Sequence, residues 1–232
     1  MGERIDIPTL DGGDSFSAYL ARPAGAPKAA IIVIQEIFGV NPGIRAKCDA
    51  WAEAGYLAVA PDLFWRIERD IVLDPDVEDE MKRAFGYIGQ FDPDLGVLDI
   101  EATIRAARAG VDGGKVGIVG FCLGGRMAFL AAARTDIDAS VGYYGGGIDK
   151  LLGGAHAIAK PLLLHFAELD HFITAEVVAD IRSVLDTNGH VTIHEYAGVD
   201  HGFATTSGKR RSEEAAQLAD GRSATFFAEH LK

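Results

Sequence analysis

The chain has 232 residues, long enough for one large open-sheet domain that buries roughly 70% of its unfolded surface. Its hydrophobic fraction of 48% and charged fraction of 24% are those of a globular chain, and its formal net charge is −12. An acidic surface repels phosphate backbones, which argues against nucleic acid as a partner but leaves a locally positive pocket possible. The start, Met1-Gly2-Glu3-Arg4-Ile5-Asp6, has no apolar h-region, and the longest apolar runs are far too short to span a bilayer. Two cysteines, Cys48 and Cys122, do not make a disulfide framework. A reduced, cytoplasmic, monomeric protein with no membrane partner is expected.

No repeat, low-complexity tract or Pro/Gly/Ser-rich linker divides the sequence, so residues 1–232 read as a single domain. Ser15 to Arg22 alternates and predicts an early antiparallel strand. Ala29 to Gln35 is a continuous apolar run, as expected of a strand buried on both faces. A helix is predicted from Ile44 to Ala54, stopped at Gly55, then a strand from Tyr56 to Ala60, stopped by Pro61. Asp62 to Pro75 is irregular. Helices follow at Val77–Tyr87 and Leu95–Ala109. Lys115 to Phe121 is a strand that runs through Cys122-Leu123-Gly124-Gly125 into a helix from about Arg126 to Arg134. Ala139–Tyr144 and Pro161–Phe166 are further strands, Ala175–Asn188 a helix stopped at Gly189, Val191–Tyr196 a strand, and Glu213–Leu231 a terminal helix. Strands alternating with helices predict an α/β fold with a mostly parallel central sheet covered on both faces. The reactive side chains in this map fall just past the carboxyl ends of strands, the edge where open α/β sheets bind ligands.

Gly120-Phe121-Cys122-Leu123-Gly124 is a strand-to-helix turn of the form Gly-x-nucleophile-x-Gly. Small neighbours let strand and helix close up while the central side chain is lifted above the sheet. A cysteine at that helix N-terminus is a candidate nucleophile, and the Leu123 N–H a candidate oxyanion donor. The G-x-G-x-x-G spacing of a dinucleotide site is absent from this segment. Nucleophile, acid and histidine follow in that chain order in an α/β-hydrolase. Asp170, after the buried run PLLLHF, and His201, one helix and one strand later, fit the order: His201 as the base, Asp170 as the group that fixes its tautomer. His165 within a strand and His171 beside Asp170 read as structural. Asp200 adjoins His201 and lacks the expected separation. No metal-ligand spacing supports a site at His165, Asp170, His171 and His201, and no cofactor motif is present. Cys48, expected on a helix as a core residue, forms no Cys-x-x-Cys pair for redox chemistry.

Glu36, in Gln35-Glu36-Ile37-Phe38-Gly39-Val40-Asn41 after the first buried strand, is the least expected residue at this edge. A carboxylate close to Cys122 opposes formation of the thiolate. The same loop offers the Ile37 N–H as a second oxyanion donor.

At these motifs the sequence resembles the dienelactone hydrolases (carboxymethylenebutenolidases) of the α/β-hydrolase superfamily. The matching stretches are QEIFGVN (35–41), APDLF (60–64), GFCLGG (120–125), VGYYGGG (141–147), DHF (170–172) and DHGFA (200–204). The resemblance implies a triad of Cys122, His201 and Asp170 and a cysteine-dependent hydrolase of a small ester or lactone that works through an acyl-enzyme. It implies that Glu36 holds the resting cysteine as a thiol, is displaced by substrate and then takes the thiol proton. It further implies that the enolate released on acylation helps to generate the hydrolytic base. Family members bind a substrate carboxylate with two arginines and a tyrosine. Here Met81, Phe85 and Thr205 stand where those are expected, so the family's chemistry is matched while its carboxylate-binding set is not, and the same triad acting on a less acidic ester, lactone or thioester is the alternative. Arg66, Arg69 or Lys209 are candidate replacements. Phe38, Trp65, Met81, Phe85, Tyr144, Phe172, Phe203 and Thr205 are the expected lining of the substrate pocket. A non-catalytic binding protein on the same fold is the alternative from another class, and four co-located reactive groups argue against it.

Overall fold

The computed structural model describes residues 2–232. Eight strands form one sheet: β1 (Glu3–Pro8), β2 (Ser15–Ala21), β3 (Ala30–Ile34), β4 (Leu57–Pro61), β5 (Val116–Phe121), β6 (Ala139–Tyr143), β7 (Leu162–Ala167) and β8 (Val191–Tyr196). Their order is β1-β2-β4-β3-β5-β6-β7-β8. The pairs β1/β2 and β2/β4 are antiparallel and all the others are parallel. The six helices are α1 (Pro42–Glu53), α2 (Glu78–Ile88), α3 (Pro93–Ala109), α4 (Leu123–Arg134), α5 (Ala175–Leu185) and α6 (Glu213–His230). A 3₁₀ segment, Ile148–Ala157, follows β6.

Every residue of β3, β4, β5, β6 and β7 is buried, because helices cover both faces. Successive side chains on a strand point to opposite faces. Ile31 and Val33 accordingly pack with Cys48 of α1 and Phe227 of α6, while Ile32 and Ile34 pack with Ile100 and Ile104 of α3 and Met127 of α4. Among the described residues no helix is long and apolar enough to cross a membrane.

The 3₁₀ segment Ile148–Ala157 is not expected from the sequence, and β1, α5 and α4 also differ from the expectation. β1 pairs with β2 in six-residue register, although its own pattern is mostly exposed and gives little periodic signal. α5 stops at Leu185, where the turns closed by Thr187 Oγ1 on Val184 O and by Asn188 N on Leu185 O replace regular helix. α4 begins at Leu123, three residues before the predicted start. The glycines do not delay it, because they sit where the helix crosses strands: a Cβ on Gly124 would lie 2.5 Å from Ile34 O.

The order of the strands positions the site. From β3 the chain crosses to β4 on one side, while β5 lies on the other. The gap between the β3 and β5 ends is therefore the topological switch point, where a crevice opens.

Candidate active site

Cys122 occupies the turn between β5 and α4 with φ 53° and ψ −111°, a conformation that costs a non-glycine residue free energy. Its surroundings hold it there. Cys122 N donates to Tyr143 O at 3.0 Å, and Cys122 O accepts from Gly125 N and Arg126 N. The two flanking glycines have to be glycines: a Cβ on Gly120 would lie 1.9 Å from Gly124 O, and one on Gly124 would strike β3. The Leu123 N–H occupies the first position of α4, where no helix carbonyl can accept it.

Asp170 follows β7 and His201 follows β8. His201 Nδ1 and Asp170 Oδ2 are 2.8 Å apart, and the Asp170 side chain is fully buried. Asp170 Oδ1 accepts from Phe172 N at 2.9 Å and Ile173 N at 3.1 Å, so the carboxylate is anchored by the loop that carries it. His201 Nε2 is buried and outside hydrogen-bonding geometry to any described protein atom. Burial pushes the imidazolium down, but the Asp170 hydrogen bond and the nearby Cys122 sulfur outweigh it and raise His201 to about 10.

The loop after β3 is built to present Glu36. Gln35 Oε1 accepts from Leu63 N, Gly39 takes a positive φ against Ile71 O, and Asn41 caps α1 through Ile44 N. Glu36 is buried, with Oε1 unpaired and Oε2 3.8 Å from Arg210 Nη2. Arg210 itself stacks over Phe38, 5.3 Å from the ring centre.

A cavity of about 550 Å³ opens over Cys122 and His201. Ile37, Phe38 and Leu123 form its inner side; Met81, Phe85 and Ile88 of α2, with Phe172, form an apolar wall. Phe172 meets the His201 ring edge-on at 4.9 Å and lies 6.4 Å from Phe85. Arg126, Gly146, Gly147, Lys150, His171 and Arg210 complete the lining.

The cavity brings together Cys122, His201, Ile37, Leu123, Phe38, Met81, Phe85 and Phe172. Four expected lining residues lie elsewhere. Trp65 stacks on Phe16 and donates to Asp99, away from the crevice. Phe203 is a core residue against Tyr144 and Tyr196. Tyr144 is buried behind the histidine, its ring 4.9 Å from that of His201, and burial pushes its phenol well up. Tyr144 and Thr205 instead line a second cavity of about 350 Å³, which Glu36 also lines. The candidate replacement cations Arg66 and Arg69 are also engaged elsewhere, with Asp99 and Asp14. Sequence reasoning missed Ile88, Arg126, Lys150 and Arg210. Arg126 carries a signal in hindsight: with α4 starting at Leu123, it lies four residues from Cys122, on the same side of the turn.

His165 is buried between Ser223 Oγ and the Tyr196 hydroxyl. His171 pairs with Asp200, which also accepts from the His201 N–H.

The dienelactone hydrolase family model matches residues 16–231. The carboxymethylenebutenolidase of Pseudomonas putida is 40% identical over 98% of this chain and 97% of its own. A protein of Azospirillum brasilense named as a candidate carboxymethylenebutenolidase is 47% identical over 98% of both chains. The chain belongs to the dienelactone hydrolase family. Among solved structures, a candidate dienelactone hydrolase from Klebsiella pneumoniae superposes with a TM-score of 0.88 at 30% identity, over 99% of this chain and 98% of that one. A dienelactone hydrolase-like promiscuous phosphotriesterase from metagenomic libraries shares the fold at 20% identity and a TM-score of 0.82. Membership of the dienelactone hydrolase family makes the protein a carboxylic ester hydrolase on an α/β-hydrolase fold.

Proposed function

We propose that Cys122 is the nucleophile of an ester or lactone hydrolase that works through a thioester acyl-enzyme, with His201 and Asp170 as base and orienter and Glu36 as the first acceptor of the thiol proton. The observation that carries this reading is the strained Cys122 turn opening into the same cavity as His201, whose far nitrogen is fixed by Asp170.

A substrate carbonyl seated over Cys122 has its oxygen within reach of the Leu123 and Ile37 N–H groups. As the substrate enters, Glu36 turns towards the thiol and takes its proton. The unpaired Oε1 and the long contact to Arg210 leave this carboxylate free to move. The thiolate attacks the carbonyl carbon, a C–S bond forms, and the two N–H groups hold the oxyanion. The intermediate collapses with cleavage of the C–O bond. The leaving alkoxide or enolate takes a proton from His201, which is held protonated in the resting site by its raised pKa, and in a lactone it remains tethered to the acyl group. His201, neutral after that transfer, accepts a proton from water, the hydroxide attacks the thioester carbonyl, the C–S bond breaks, the thiolate takes back the proton held by Glu36 and the acid leaves. Asp170 stabilises the imidazolium formed in that step.

The apolar wall of Met81, Phe85, Ile88 and Phe172 suits a hydrocarbon portion of the substrate. Wild type and Cys122→Ala are to be compared on a neutral p-nitrophenyl ester and on a dienelactone. Loss of all turnover in the variant is the expected result; turnover retained by it contradicts the assignment.

A further inference from the structure

Ring opening of a lactone leaves the alcohol tethered to the acyl group, so the cavity over Cys122 stays filled when the hydrolytic water has to arrive. That water needs a second way in. The second cavity, of about 350 Å³, is lined by three residues with buried polar atoms that have no hydrogen-bond partner among the described residues: Glu36 Oε1, the Tyr144 hydroxyl and Thr205 Oγ1. Glu36 is 7% exposed and Tyr144 0%, so bulk solvent does not satisfy these groups, and leaving them unmade is costly. A buried water makes about three hydrogen bonds to groups of this kind, and the volume has room for several waters. Lys47 lines the same cavity, its ammonium 3.7 Å from Asp220 Oδ2 and 4.4 Å from the centre of the Phe121 ring. It offers a further donor, and its charge disfavours an organic cation as the occupant. The exposed carboxylates of Asp74 and Asp76, also in the lining, disfavour an anion.

The two cavities approach each other beside His201. Tyr144, which lines the second, holds its ring 4.9 Å from that of His201. Arg210, which lines the first, lies 3.8 Å from Glu36, which lines the second. Building on the hydrolase reading above, we infer that the second cavity is a water site that supplies deacylation, with Glu36, Tyr144 and Thr205 as the groups that hold the water. Glu36 gives up its place there when it turns to the thiol, and its departure opens the path to His201. The water then loses one proton to His201 Nε2, its oxygen bonds to the thioester carbon, and the C–S bond breaks. Glu36 thereby couples the two half-reactions: the substrate that draws it to the thiol also admits the water that later releases the acid. The tethered alcohol does not have to leave first.

The test plugs the second cavity in the full chain and follows the acyl-enzyme by rapid quenching and intact mass. Thr206→Leu fills it from the loop after β8, at a position outside the cavity over Cys122. Two neutral substrates are compared: dihydrocoumarin, whose phenol stays tethered on ring opening, and p-nitrophenyl acetate, whose p-nitrophenol departs and leaves room for water. In Thr206→Leu the acyl-enzyme from dihydrocoumarin lives about tenfold longer, while the acetyl-enzyme lifetime and both acylation rates stay within about twofold. Gly43→Ala is the second plug, because a Cβ on Gly43 would lie 2.8 Å from Thr206 Oγ1, and it gives the same pattern. If both lifetimes lengthen together, or neither does, the inference is overturned. A readout that does not depend on turnover is the crystal structure of wild type, with ordered waters expected within hydrogen-bonding distance of Glu36 Oε1 and the Tyr144 hydroxyl and lost in Thr206→Leu. A dry cavity in wild type overturns the inference. Failure of wild type to form an acyl-enzyme with either substrate would instead sink the hydrolase reading, and the inference with it.

Discussion

Asp170 and Glu36 are buried carboxylates past the ends of β7 and β3, and the fold treats them differently. Asp170 accepts three hydrogen bonds, two from its own loop and one from His201. Glu36 has one unpaired oxygen and a single distant cation, and it borders a second cavity. In the proposed mechanism the unmade bonds of Glu36 suit the group that changes position, and the completed bonds of Asp170 suit the group that stays. Carboxylates of similar burial therefore differ in how firmly they are held through the number of donors that reach them.

Breaking the fixed carboxylate gives the largest effect. Asp170→Asn keeps the shape but removes control of the His201 tautomer, and kcat on a p-nitrophenyl ester falls on the order of 10³- to 10⁴-fold. A loss below tenfold would remove Asp170 from the triad. Glu36→Gln sharpens the contrast because its two readouts move in opposite directions. Turnover falls about 100-fold with the lost proton acceptor, while alkylation of Cys122 by iodoacetamide in the free enzyme becomes faster, since a negative charge next to the sulfur has gone. An alkylation rate unchanged across pH would show that the two groups do not meet.

The smallest effect is on stability. Burial works against the charged His201, but its hydrogen bond to Asp170 and the Cys122 sulfur raise it from 6.5 to about 10. A raised pKa contributes stability that is full below about pH 6.5 and is lost as pH rises through about 10. Wild type should therefore exceed Asp170→Asn most in urea unfolding at pH 6, with the gap narrowing towards pH 10. A gap that widens with pH contradicts the ion pair.

The sheet was legible because its central strands are continuous apolar runs: AIIVI, LAVAP and VGIVGF need no context to be read as buried. β1 was not, since an edge strand with one fully buried side chain, Ile7, carries almost no pattern. The residues proposed to react could be placed for a similar reason, each following a recognisable strand. The walls of the cavity were not. Whether an aromatic residue faces the crevice or the core depends on packing between distant segments, which turned Trp65 onto Phe16 and Phe203 into the core. The cations were hidden by placing the start of α4 too late for Arg126, and by the loop that brings Arg210 back over Phe38.

The most direct test of the account is intact-mass measurement during turnover of a slowly deacylating ester. The account predicts a transient mass increase equal to the acyl group, located on the peptide containing Cys122, stable long enough to trap in Asp170→Asn and absent from Cys122→Ala. An acyl group on any other residue, or full turnover by Cys122→Ala, would contradict it.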